Sequence, residues 1–151
     1  MKDFLTLDKQ LCFSVYETAG EFTKLYSSVL KPFGLTYPQY LVLLALWERN
    51  GITMKELGGQ LGLGTGTLTP MISRMQRDGW LSKARSTDDE RKVYVSLEEK
   101  AYQEQSNITQ RVTEEIQLCN ISLTEYNELM TNLNELHRKL KERAKPTDIK
   151  I

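Results

Sequence analysis

The side chains able to do chemistry fall in two places in this 151-residue sequence. The first is residues 65–92. On a helix beginning near Gly64-Thr65, taking Leu68 as zero and stepping about 100° per residue, Ile72, Met71 and Met75 fall within about 60° of it. Thr65, Gly66, Thr67, Thr69, Pro70, Ser73, Arg74 and Arg77 are left on the other sides. Small hydroxyls and two arginines let such a helix approach a DNA major groove closely and still reach phosphates or guanine edges. Taken alone, the same face suits any solvated helix. A basic hairpin follows, with Arg91 at its turn, where it can enter a minor groove, and with Lys83, Arg85 and Lys92 placed to meet phosphate. Asp89, two residues before Arg91, is expected to hold that arginine by a charge-assisted pair.

The second place is the thiols. Cys12 and Cys119 are the only cysteines and His137 the only histidine, so a four-ligand zinc site or a Ser-His-Asp triad cannot be assembled. No metal and no cofactor are expected. By position Cys12 lies one residue off an apolar stripe, beside Leu11 and four residues before Tyr16, where a cysteine is most often a small buried hydrophobe. Gly62-Leu63-Gly64-Thr65-Gly66 looks like a phosphate loop, but no predicted strand precedes it and no Gly-Lys-Ser/Thr follows.

These residues need elements to hold them. Leu7, Leu11, Val15, Ala19, Phe22, Tyr26 and Val29 recur at helical spacing, ended by Lys31-Pro32-Phe33-Gly34. A second helix starts at Thr36 or Tyr37 with Pro38 in its first turn and runs nearly continuously apolar from Tyr40 to Trp47. Asn50-Gly51 stops it. Thr53 and Glu56 have capping-box spacing for a short third helix that ends at Gly62. The helix of residues 65–77 comes fourth, with Pro70 costing it one backbone hydrogen bond. Residues 80–85 and 91–97 read as two strands around a polar turn, and 98–118 and 124–143 as two further helices.

The order helix, helix, short helix, helix, hairpin, helix, helix is that of a winged helix-turn-helix. The expected fold is therefore mainly α with a β-hairpin wing, flanked by N- and C-terminal dimerisation helices. One domain is expected over 1–145, with 36–97 as the DNA-binding part, 5–33 and 98–143 as dimerisation helices, and 146–151 as a flexible tail. Two-fold symmetry would present two recognition helices to a pseudo-palindromic duplex.

Charge sharpens this. Twenty basic and 20 acidic residues cancel overall, yet residues 64–97 carry +2, 98–135 carry −6 and 136–145 carry +4. No apolar run approaches the roughly 18–20 residues of a membrane span, and Met1-Lys2-Asp3-Phe4 does not open a signal peptide, so a cytoplasmic protein without a membrane partner is expected.

Leu11-Cys12-Phe13, Gly34-Leu35-Thr36-Tyr37-Pro38-Gln39-Tyr40, Gly66-Thr67-Leu68-Thr69-Pro70 and Asp89-Glu90-Arg91 closely resemble the organic hydroperoxide resistance regulators. These are the cysteine-sensing branch of the MarR family, which also includes staphylococcal oxidation-sensing global regulators. The resemblance runs over residues 7–97 and implies a homodimeric repressor, not an enzyme, that leaves DNA when peroxide oxidises an N-terminal cysteine. Cys12 matches that cysteine, Tyr26 and Tyr37 its two partner tyrosines, and Tyr16 a further tyrosine near the site; Asp89 and Arg91 match the wing pair. The family usually carries an acidic residue before its Ser-Gly-Thr run, where this chain has Gly64-Thr65-Gly66; Thr65 is the residue able to replace it as N-cap.

What the resemblance implies can be tested by helix geometry. On an unbroken first helix, Cys12 and Tyr26 stand fourteen residues apart, about 21 Å along the axis, so a hydrogen bond between them must cross to a partner subunit. The implied chemistry is a thiolate, held by two phenolic donors and lined by Leu11, Phe13 and Val15, that attacks an organic hydroperoxide. The resulting sulfenic acid can condense with another thiol, and Cys119, expected from the other subunit, is the protein's candidate. Two rival readings keep the same residues: reversible capture of a small aromatic ligand in place of thiol chemistry, and a thiol peroxidase turning over on Cys12 and Cys119.

Overall fold

In the computed structural model the described residues, 6–143, form α1 (Leu11–Leu30), α2 (Tyr37–Glu48), β1 (Ile52–Thr53), α3 (Met54–Leu61), α4 (Thr65–Arg77), β2 (Leu81–Arg85), β3 (Val93–Leu97), α5 (Glu99–Leu118) and α6 (Leu123–Lys141). Residues 1–5 and 144–151, the expected tail among them, lie outside the described residues. The chain divides into two compact units, one running through Glu115 and one starting at Ile116.

In the first unit, α1 is shorter than the apolar stripe predicts. Leu7–Lys9 form a separate 3-10 turn, and Gln10, extended at φ −86° and ψ 121°, separates it from α1. Past Leu30 a 3-10 turn over Lys31–Phe33 ends at Gly34, whose φ of 68° is left-handed. The next helix begins where expected. Thr36 accepts the Gln39 N–H at 3.3 Å, and the Gln39 side chain accepts the Thr36 N–H at 3.0 Å, so two donors at the start of α2 are satisfied reciprocally. Tyr40, Val42, Leu43, Ala45 and Leu46 of α2 are buried while Leu44 is exposed, as its continuous apolar run requires.

The expected hairpin is present, and the sheet adds one strand to it. It has three antiparallel strands in the order β1-β3-β2, since Ile52 pairs with Val95 and Thr53 with Tyr94. Two residues are too short to show a period-two pattern, so β1 left no trace in the alternation. Thr53 then caps α3, accepting the Glu56 N–H at 3.1 Å. In place of the return half of the expected capping box, the Glu56 carboxylate lies 3.6 Å from Arg49 Nη2.

α3 turns into α4 within three residues. A Cβ at Gly58 would stand 2.8 Å from the Leu63 carbonyl oxygen, and Gly62 takes φ 66°. Both positions require glycine, for close approach and for the left-handed turn respectively. Beneath them Leu57, Leu68, Ile72, Met75, Leu81 and Val95 are at most 1% exposed, each such aliphatic side chain contributing roughly 1.5–3 kcal/mol on burial. Three longer-range bonds join the sheet and α5 to this core. The Leu97 N–H donates to Asn50 Oδ1 at 2.8 Å, Trp47 Nε1 donates to the Ala101 carbonyl at 3.2 Å, and Lys100 Nζ donates to the Asp78 carbonyl at 2.8 Å. Lys100 also sits 4.4 Å from the Trp80 ring centroid, a cation–π contact over an almost fully buried indole.

In the second unit, Asn120 takes a left-handed φ of 54° in the link between α5 and α6. Ser122 and Glu125 form the capping box of α6, the Ser122 hydroxyl accepting at 3.2 Å and the Glu125 carboxylate at 2.8 Å. Arg138 is clamped between Glu135 and Glu142, both at 2.6 Å. No residue of α6 is buried. Among the described residues no helix is long and apolar enough to cross a membrane.

Candidate DNA-binding face and cysteine site

α4 presents the face its periodicity predicts. Leu68, Met71, Ile72 and Met75 point inward, and Thr65, Thr67, Thr69, Ser73, Arg74 and Arg77 are exposed. Its start differs from expectation: Gly64 is the N-cap, contributes no side-chain bond, and puts Thr65 in the first helical position, where its hydroxyl does not cap. Gly64 accepts the Thr67 and Leu68 N–H groups through its carbonyl at 3.2 and 3.0 Å, which holds the turn without a side chain. The uncapped N–H groups of this first turn face solvent with the positive end of the helix dipole, an arrangement suited to an anion such as phosphate. Pro70 lies within α4 and the helix runs through it.

The wing is organised by its own polar groups. Asp89 Oδ1 accepts from both the Arg91 backbone N–H and Arg91 Nε, each at 3.1 Å, so the expected pair is present. These bonds from Arg91, side chain first and backbone second, hold the Asp89 carboxyl below the usual carboxylate range. The Arg91 side chain is 91% exposed, oriented but not consumed by the pairing. Ser86 Oγ accepts the Asp88 and Asp89 N–H groups at 3.2 and 3.3 Å, and Lys92 is exposed.

Two of the expected phosphate ligands are engaged inside the protein. Lys83 Nζ donates to Ser73 Oγ of α4 at 3.1 Å, and Arg85 Nη1 donates to the Glu90 carbonyl across the wing turn at 2.6 Å. Between α4, the start of α3 and the wing runs an open cleft of about 820 Å³, lined by Thr65, Thr69, Lys83, Arg85, Asp89, Arg91 and Lys92. Lys55, Gln76 and Tyr94 also line it, three residues that the sequence reading does not single out. Tyr94 carried a usable signal, the outward alternation of β3. Lys55 gave none, because nothing local tells which side of a short helix faces the wing.

The thiols fall elsewhere. Cys12, second residue of α1, and Cys119, in the α5–α6 link, are both exposed thiols, so Cys12 is not the buried hydrophobe its position favours. Tyr16, one turn along α1, is 76% exposed. Tyr26 lies far from Cys12 on the same unbroken helix, stacked on Tyr37 at 4.6 Å between ring centroids and 7° between planes. Tyr40 stacks on Tyr26 as well, at 5.6 Å. Burial, and then the neighbouring Tyr37, push the Tyr40 phenol up, so it stays protonated at neutral pH. The structure thus brings Tyr26 and Tyr37 together and leaves the Cys12 of the same chain apart from them. Among the described residues no group of His, Cys, Asp and Glu is arranged to hold a metal.

Residues 24–112 match the family of transcriptional regulators SarA/Rot. The organic hydroperoxide resistance transcriptional regulator of Bacillus subtilis (strain 168) is 48% identical over 97 residues, which is 64% of this chain and 66% of that protein, just under two thirds of its length. The HTH-type transcriptional regulator MgrA of Staphylococcus aureus is 35% identical over 134 residues, covering 86% of this chain and 91% of MgrA. Among solved structures, reduced AbfR bound to DNA aligns with a TM-score of 0.81 at 37% identity, covering 89% of this chain and 92% of that one. AbfR in a disulfide-formed state aligns with a TM-score of 0.65 at 38% identity, covering 89% and 90%. These relatives are transcriptional regulators, not enzymes.

Proposed function

The chain belongs to the MarR-type winged-helix transcriptional regulators of the SarA/Rot family, and from that premise we propose that it is a cytoplasmic homodimeric repressor that senses organic hydroperoxide through Cys12. One observation carries the proposal. The tyrosine pair Tyr26–Tyr37 is assembled within a subunit, whereas Cys12 stands fourteen residues, about 21 Å, from Tyr26 along α1. A cysteine–tyrosine site is therefore completed only by a second copy whose α1 runs antiparallel, placing each Cys12 against Tyr26 and Tyr37 of the partner subunit. The apolar side chains left uncovered agree with such pairing: Leu11, Val15 and Phe22 on α1, and Leu123, Leu129, Met130 and Leu133 on α6. A monomer would not keep so much aliphatic surface in water. In this reading 36–97 is the DNA-binding part, α1 with α5 and α6 are the dimerisation helices of one domain, and the two α4 helices face a pseudo-palindromic duplex.

The chemistry follows from the sulfur. The Cys12 thiolate, held by the Tyr26 and Tyr37 hydroxyls, attacks the distal oxygen of the hydroperoxide. The S–O bond forms as the O–O bond breaks, the alkoxide leaves and takes a proton to become the alcohol, and Cys12 becomes a sulfenic acid. The Cys119 thiol of the partner subunit then attacks that sulfur, releasing water and closing a disulfide. Either product removes the anion that the two phenols held, and a small rotation of the α4 pair out of groove register releases the duplex.

The test is salt-dependent binding to promoter DNA with and without cumene hydroperoxide. Wild type leaves DNA after about one equivalent of peroxide per subunit, Cys12→Ser stays bound, and Cys119→Ser gives no intersubunit dimer on non-reducing gels. A Cys12→Ser protein released by peroxide overturns the sensing role.

A further inference from the structure

We infer that Lys83 is a brace that sets the angle between the wing and the recognition helix, and not a phosphate contact. This deepens the DNA-binding reading above and rests on it.

Three observations converge. Side chains two apart on a strand share a face, so Lys83 lies on the same face of β2 as Leu81, which is 1% exposed. In the register Lys83 stands opposite Val95, itself fully buried, and directly opposed residues of an antiparallel pair also share a face. The aliphatic stem of Lys83 thus rises from the core-facing side of the sheet, which is why the residue is half-buried. Its ammonium then ends 3.1 Å from Ser73 Oγ, in the middle of α4.

An ammonium has three donors and no acceptor, so Ser73 must accept here, and its own O–H is left to donate outward. Lys83 therefore fixes two things together: the separation of β2 from α4, and the donor polarity of a hydroxyl on the DNA-facing helix. Arg91 and Lys92, both exposed and on the far side of the wing turn, remain as the cations that meet DNA.

The two roles differ in what salt does. A cation that neutralises a phosphate contributes about 0.9 to the slope of log affinity against log salt, whereas a brace lowers affinity at every salt concentration alike. The experiment uses an operator duplex selected from a random pool by the wild-type protein, and compares wild type, Ser73→Ala, Lys83→Met, the double variant, and Lys92→Met as the phosphate control. Each of Ser73→Ala and Lys83→Met is expected to weaken binding about fivefold, the worth of one hydrogen bond, the double variant no further, and all three with the wild-type slope. Lys92→Met alone flattens the slope. A flatter slope for Lys83→Met, or losses that multiply in the double variant, overturns the brace. A second arm needs no DNA: the Tm losses of the two single variants are expected to be non-additive in thermal melts, and simple addition refutes the contact. A wild-type protein that binds no duplex sinks the DNA-binding reading and leaves the melts to decide the brace.

Discussion

Mixed dimers give the sharpest test of where the sensing site lies. Consider Cys12→Ser and Tyr26→Phe, each of which spoils every site in its own homodimer. The Tyr26→Phe substitution keeps an aromatic ring to stack on Tyr37, so only the hydroxyl is lost. If Tyr26 serves the partner's cysteine, a heterodimer of the two variants holds one site with no defect, built from Cys12 of the Tyr26→Phe chain and Tyr26 of the Cys12→Ser chain. If Tyr26 serves its own chain, the heterodimer holds none. The first arrangement is the expected one, because the separation of about 21 Å along α1 is several times hydrogen-bond reach. A hydrogen bond to a charged group is worth about 1.5–3 kcal/mol. Roughly half of that is returned kinetically, since a better-stabilised thiolate is a weaker nucleophile. The Tyr26→Phe homodimer should therefore be oxidised about four- to twelvefold more slowly than wild type. The assay is single-turnover sulfenic acid trapping after mixing with cumene hydroperoxide, on heterodimers purified through two different tags. The reactive cysteine of the heterodimer should regain the wild-type rate. If it keeps the slow rate of the Tyr26→Phe homodimer, the intersubunit site is wrong.

Other perturbations have equally definite outcomes. Arg91→Ala should flatten the salt dependence of DNA binding by about 0.9 for each subunit engaged, and Asp89→Ala should weaken binding with little change of slope, because it removes the acceptor that orients Arg91 without removing the arginine's charge. The Asp89 carboxyl is held low by Arg91, so the pair contributes above the unfolded carboxylate range and is lost as pH falls through the lowered folded value; carboxyl NMR titration should show that depression vanish in Arg91→Ala. Gly58→Ala places a Cβ 2.8 Å from a backbone carbonyl and should cost more than about 1 kcal/mol in denaturant unfolding, with loss of DNA binding as α4 is pushed away from α3. Ser122→Ala removes one half of the α6 capping box and should lower stability by about 1 kcal/mol, measured by thermal unfolding.

Much of the DNA-binding part was legible because its signals are periodic. Leu68, Ile72 and Met75 marked the inner face of α4 through spacing alone, and Thr36-Tyr37-Pro38-Gln39 marked the start of α2 through cap chemistry. The failures share a different cause. β1 is too short to alternate, and Gly64 caps α4 through its backbone, which no side chain advertises. The charges of Lys83 and Arg85 are visible in the sequence, but their internal acceptors, Ser73 and the Glu90 carbonyl, are set by the folded geometry and leave no local mark. Cys12 is the extreme case: its exposure depends on what covers α1, and the stacking of Tyr26 on Tyr37 joins residues from different helices. Local sequence carries neither. Only the resemblance pointed to these three side chains together.

The bond between Asn50 Oδ1 and the Leu97 N–H has a mechanical consequence. α2 carries Tyr37 at its first position, and two residues beyond its last turn Asn50 grips the end of β3, the inner rail of the wing. Twelve residues of helix make a rod about 18 Å long. A tilt of about 5° at the tyrosine end displaces the asparagine end by about 1.6 Å, enough to carry a base-edge hydrogen bond beyond its working range. As α2 is a continuous helix, its two ends move as one body, where a flexible loop would absorb the displacement. In the sensing reading proposed above, a change of chemistry at the tyrosine end of α2 thus has a direct structural route to the wing.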